Sequence, residues 1–150
     1  MRNKKQELEI INFVLDYMEK NTKNAAEFIY EITNTESNNF MYSTQMNNGP
    51  AKGEIQMEML TYYDIVDNYL KYRDDLMRCY DKLKNPNFPD EWNLRTDKKL
   101  QYFMCRCFIL RIPEAIPDTK EGRAKQWKEY YNTKKGKGTI KHYLKLNKAR

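Results

Sequence analysis

Apolar residues recur at helical spacing along most of the chain. Leu8, Ile11, Leu15 and Met18, with Ile10 and Val14 beside them, predict a helix over residues 5 to about 20. A second stripe, Ala25, Phe28, Ile29 and Ile32, follows Asn24, a suitable N-cap, with Glu27 at the capping-box position. That stripe gives out near residues 34–37, where helix formers yield to Asn and Ser. Residues 37 to about 54 carry no regular apolar period. Asn47-Asn48-Gly49-Pro50 is a turn signal there, and Gly53 offers a second bend, so a small hairpin is allowed within 37–55.

The helical period resumes near Thr61 with Ile65, Val66, Tyr69 and Leu70, then runs through Leu76, Met77, Tyr80 and Leu83. Two prolines, Pro86 and Pro89, break it. The stretch 93–111, with Leu100, Phe103, Met104, Cys107, Phe108 and Leu110, is apolar around much of its circumference. It is the expected central buried helix. Pro113 and Pro117 end it. A helix over about 119–131 carries Trp127 and Tyr130, and a short one over 139–146 follows Gly136 and Gly138. No two-residue hairpin signal joins alternating strands. The pattern predicts an all-α fold, and 150 residues suit a single domain with a real core.

Composition narrows the classes. The chain is 40 % apolar and 32 % charged, which is globular rather than disordered. Twelve tyrosines suit a cleft for hydroxylated ligands and suit half-buried helix faces equally. The net charge of +6 is uneven. Seven basic residues and no acid lie beyond Asn132, which leaves −1 for residues 1–131. A basic tail over 134–150 favours an anionic polymer such as nucleic acid, anionic lipid or a cell wall, and serves equally as a solvated tail. No secretion signal or membrane-length apolar run is visible, so synthesis in a cytoplasm is expected.

Candidate chemistry is sparse. Cys79, Cys105 and Cys107 form no disulfide framework, and Cys105 and Cys107 point to opposite sides of a helix, a poor zinc pair. His142 is the only histidine, which disfavours His-based triads and zinc sites. No phosphate loop, dinucleotide fingerprint or calcium loop appears, so no metal and no cofactor is expected. Glu36 remains: a carboxylate at a helix end facing a long polar loop.

Glu36-Ser37, then Gly49-Pro50-Ala51-Lys52-Gly53-Glu54-Ile55-Gln56-Met57, then Thr61, resembles the signature of soluble lytic transglycosylases of the lysozyme-like superfamily. Asn93 with its following helix resembles that family's next motif. Trp127, Tyr130-Tyr131-Asn132-Thr133 and Gly136 resemble its closing motif. The nearest flavour is that of small phage and prophage proteins with a G-P-A-x-G-x-x-Q-M-E variant. The chain departs from the family pattern in three ways: Glu54-Ile55 stands where Leu-Met is usual, Met59 stands where a Pro often follows, and the Glu36-to-Gln56 spacing is slightly longer.

The resemblance implies a lysozyme-like fold and a single catalytic acid. Glu36 would protonate the glycosidic oxygen between N-acetylmuramic acid and N-acetylglucosamine, then serve as base on the muramoyl 6-hydroxyl to give a 1,6-anhydro product. Gln56 would line the sugar site, Gly53 would let the backbone approach substrate, Tyr131 would reach the acid or leaving group, and Asn132 would hold the loop. Ser37 would stabilise the turn after Glu36 or act as a plain C-terminal cap. Phe40, Tyr42 and Tyr131 are candidate walls that would desolvate Glu36. Glu54 or Glu58 would supply a second carboxylate for lysozyme-type hydrolysis, unless they are solvated loop acids.

Peptidoglycan glycan strands are the expected partner. On a phage reading, other virion proteins join them and action is at the bacterial wall. Two further classes stay open: a virion structural protein keeping the fold with little activity, and a nucleic-acid binder using the tail, the less favoured of the two.

Overall fold

The computed structural model describes residues 3–37, 51–133 and 138–148. The described chain is mostly helical. Its helices are α1 (Lys4–Tyr17), α2 (Ala25–Glu36), α3 (Met59–Asn68), α4 (Asp74–Leu83), α5 (Asp90–Thr96), α6 (Lys98–Leu110), α7 (Lys120–Gln126) and α8 (Ile140–Leu146). A 3-10 turn (Leu70–Tyr72) joins α3 to α4, and a π-helix (Trp127–Asn132) extends α7. The hairpin allowed within 37–55 lies further along the chain, as two short antiparallel strands, β1 (Ala51–Lys52) and β2 (Met57–Glu58).

Local chemistry accounts for the helix ends. Asn3 caps α1 by accepting from the Lys5 and Gln6 backbone N–H groups. Asn24 does not cap α2 with its side chain. It sits at φ +69° and its Nδ2 donates to Asp118 Oδ1 at 2.7 Å, while Glu27 pairs with Lys4 at 2.9 Å. Asp64, in the middle of α3, pairs with Arg111 at 2.7 Å.

The stretch expected as one central helix is two. Asp97 leaves helical geometry and its carboxylate accepts from the Leu100 N–H, which caps α6 and ends α5. Asn93 opens no helix. It lies inside α5, buried, and ties down the preceding break. Its Nδ2 donates to the carbonyls of Asn85, Phe88 and Pro89, and its Oδ1 accepts from the Asn85 N–H. α6 is buried from Leu100 to Cys107, as its apolar pattern predicts. Both Cys105 and Cys107 are fully buried there as free thiols, so packing is their role.

α2 shares the central position, which its sequence hides. Every residue from Phe28 to Thr35 is buried, including Glu31, Thr33, Asn34 and Thr35. Thr33 and Thr35 return their hydroxyls to the carbonyls of Ile29 and Glu31, so they cost little there. Glu31 is met by Arg123 of α7 in a bidentate pair, Nε to Oε1 at 2.8 Å and Nη2 to Oε2 at 2.9 Å. The Tyr143 hydroxyl of α8 donates to Oε1 at 2.6 Å. Asn147 then bonds Glu31 O, Thr35 Oγ1 and Asn34. α1 is tied to α6 in the same manner, with Lys98 and the Tyr102 hydroxyl both on Glu7.

The described part of the basic tail is built into the fold. α8 packs on α2 and α7, burying Tyr143 and Leu146, and exposes Lys141, Lys145 and Lys148 outward. The Tyr143 phenol is pushed well above its ordinary value by burial and then by Glu31.

Removing Arg123 would strand the Glu31 carboxylate. Arg123→Met is expected to cost about 3–5 kcal/mol, measured by urea unfolding at neutral pH. A loss below about 1 kcal/mol would mean that the three-helix junction does not depend on the pair.

Candidate functional site

Glu36 is the last residue of α2, and its chain continues into Ser37 with the last turn still closed. The Ser37 hydroxyl is buried and donates to the Thr33 carbonyl, so it acts as a C-terminal cap. Glu36 itself is half-buried. Its carboxyl is pushed from the ordinary 4.5 to about 7, above all by desolvation. Trp127 and Asn132 side chains and the Lys128 ammonium oppose that rise by favouring the anion. At neutral pH the group is therefore split between an acid that can give a proton and a base that can take one.

The wall opposite comes from the far end of the chain. The π-helix spans Trp127–Asn132, and π-turns align residues five apart. Trp127 and Asn132 are five apart and both act on the Glu36 carboxyl. Asn132 is steadied by Lys128, whose Nζ donates to its Oδ1 at 2.8 Å. Tyr131 packs edge-on against Phe108 and donates its hydroxyl to Ile55 O at 2.6 Å. Burial, then Cys105 and Glu36, hold its phenol well above the ordinary value, so it stays protonated.

That bond to Ile55 brings in the hairpin. Ile55 and Met57 are buried, and Gly53 turns at φ +72°. A side chain on Gly53 would meet Gln101 at 2.7 Å and Leu94 O at 3.0 Å. Close approach there is to α5 and α6, with Gln101 Oε1 accepting from the Glu54 N–H at 3.1 Å. Gln56 sits at φ +50° and donates Nε2 to Gly53 O at 2.7 Å. Its amide thus closes the turn. Glu54 is 7 % exposed and is not a solvated loop acid, whereas Glu58 is exposed. Phe40 and Tyr42 lie outside the described residues.

The structure thus brings Glu36, Tyr131 and Asn132 to one place and leaves Ser37, Gly53 and Gln56 in backbone-supporting roles. Trp127 and Lys128 belong to the site without having been assigned a role from sequence. Helical periodicity conceals them: in an α-helix, residues 127 and 132 lie roughly 140° apart, and only the π-turn puts them on one side. Among the described residues no cluster of His, Cys, Asp and Glu could hold a metal, and no helix is long and apolar enough to cross a membrane. Comparison with protein-family models, with curated proteins and with solved structures finds no match.

A raised carboxyl pKa carries a stability signature. Between pH 4.5 and about 7 the unfolded chain ionises at Glu36 while the folded protein keeps its proton. The native state then binds more protons, so stability falls as pH rises through this window and levels off above it. The loss amounts to about 3 kcal/mol. Glu36→Gln should remove this pH dependence. Its melting temperature should exceed wild type at pH 8 and match it at pH 4, by differential scanning calorimetry; equal melting at both values would place the carboxyl in solvent.

The hairpin tether gives a second test. Tyr131→Phe is expected to cost about 1 kcal/mol. It should also speed hydrogen exchange at the Ile55–Met57 amides, and unchanged exchange there would show that the hydroxyl does not anchor the hairpin.

Proposed function

We propose that this protein cleaves peptidoglycan glycan strands as a lytic transglycosylase, with Glu36 as its single acid and base. What carries the reading is the Glu36 carboxyl: protonated in good part near neutral pH, with Tyr131, Asn132 and Lys128 around it. Glycosidases commonly work with two carboxylates a few ångströms apart. One carboxyl that both gives and takes a proton is what a transglycosylase needs.

The reaction would run in two proton transfers. Glu36 gives its proton to the glycosidic oxygen as the C1–O bond breaks, and the leaving sugar departs as an alcohol. The substrate's acetamido group stabilises the cationic C1. Glu36, now a carboxylate, takes the proton of the muramoyl 6-hydroxyl as that oxygen bonds to C1. The enzyme ends as it began and no water is consumed. Lys128 and the amide of Asn132 favour the carboxylate between the two steps, while burial favours the acid at the start. On this reading the protein is phage-encoded and works at the bacterial wall, and the outward lysines of α8 lie on an anionic polymer.

Wild-type protein should clear a peptidoglycan suspension and release muropeptides with anhydro ends. Glu36→Gln should abolish release. The rate should fall about tenfold per unit as pH rises above about 7. Reducing ends in the mass spectrum would reassign the chemistry to hydrolysis. No release from several wall chemotypes would end the enzymatic reading.

A further inference from the structure

Trp127 is the largest fully buried side chain of the described fold, at 1 % exposure, and packs against Tyr143 at 5.2 Å. Its indole Nε1 is buried and closes no hydrogen bond of ordinary length and angle, yet the Trp127 side chain acts on the Glu36 carboxyl as a donor that favours the anion. An unmade bond to a buried donor is costly and rarely left in a fold without a reason. The ring has little freedom to search for a partner. A side chain on Gly138 would come within 2.6 Å of Trp127 Cη2 and 3.1 Å of Asn132 Nδ2, so the Gly138 backbone backs both groups. Trp127 and Asn132 stand one π-turn apart, and the polar group that both act on is the Glu36 carboxyl.

We propose that Trp127 is a positioning residue whose indole N–H donates preferentially to the ionised form of Glu36. While the carboxyl carries its proton, it offers Nε1 only a neutral carbonyl oxygen, the weaker acceptor. Once the proton is gone, Nε1–H donates to the carboxylate and Asn132 Nδ2 supports it from the next π-turn. With the carboxylate the pairing is a charge-assisted bond, stronger than any bond to the neutral acid, and so favours the anion through which the proposed reaction passes. The role in catalysis rests on the transglycosylase reading; the pairing with Glu36 does not.

Lys128 on the π-helix, Tyr131 beside it and Cys105 on α6 are the other titratable or charged described groups that interact with Glu36. The two thiol and phenol groups stay protonated through neutral pH, since burial pushes both upward. Lys128 is the one that competes with Trp127 in favouring the anion.

Nuclear magnetic resonance tests this without any substrate. The chain has two tryptophans, so two indole N–H signals, and Trp92→Phe, at an exposed site, assigns them. The Trp127 signal should move downfield with pH, following the midpoint of the Glu36 carboxyl carbon near 7, and should stay flat in Glu36→Gln. Trp127→Phe, which keeps a ring and loses the donor, should raise the Glu36 midpoint by about one unit. A Trp127 signal that ignores pH in the wild type overturns the proposal even if Trp127→Phe does not fold. So does a folded Trp127→Phe with an unchanged Glu36 midpoint. A protein that cleaves no glycan yet shows the coupled titration keeps the pairing and loses only the transglycosylase reading. Cleavage by wild-type protein with no coupling does the reverse.

Discussion

The buried pair between Glu31 and Arg123 governs the geometry of this molecule. Glu31 lies in the middle of α2, shielded on every side, where an unpaired carboxylate could not be kept. Arg123 answers it with two parallel bonds and thereby sets α7 in register against α2. α7 continues without a break into the π-helix. The pair therefore also decides where Trp127, Lys128 and Asn132 arrive. They arrive at Glu36, five residues further along the same helix.

Two glutamates on one helix meet opposite fates for this reason. Glu31 has a guanidinium and a tyrosine hydroxyl in bonding contact. Glu36 has desolvation by burial against its charge, with the Asn132 amide, the Trp127 indole and the Lys128 ammonium only partly offsetting it. The first environment holds a charge, and the second discourages one. Structural and chemical roles are thus divided between two identical side chains by the degree to which the partner helix satisfies them. The same logic explains the hairpin. Its own two-residue strands are too short to stand alone, so Gln101 and Tyr131 hold it from outside.

Most helices were legible because burial on one face leaves a period of three to four. α1, α4 and α8 follow that rule, α6 was legible as a stretch apolar nearly all round, and the proline break at 85–89 is where the chain leaves the helix. Two features resisted. α2 is buried on its polar side as well, because its threonines bond back to the helix and its glutamate is paired across 92 residues. Periodicity cannot register a polar residue that is satisfied by a distant one. The division of the 93–111 stretch into α5 and α6 hung on a single side chain, Asp97, choosing to cap.

The sequence alone determined a helical domain and singled out Glu36, Tyr131 and Asn132 as residues of interest. It could not assign their work. Whether a glutamate is an acid or a base near neutral pH depends on what surrounds its carboxyl, and those groups come from the other end of the chain. Ser37, Gly53 and Gln56 stood beside Glu36 in the linear pattern, yet tertiary structure uses them to close a helix and a turn. Trp127 stood far from it and lies against it. Local patterns report on the backbone's own needs. Desolvation and long-range hydrogen bonding, which set the chemistry of Glu36, exist only once the chain has folded.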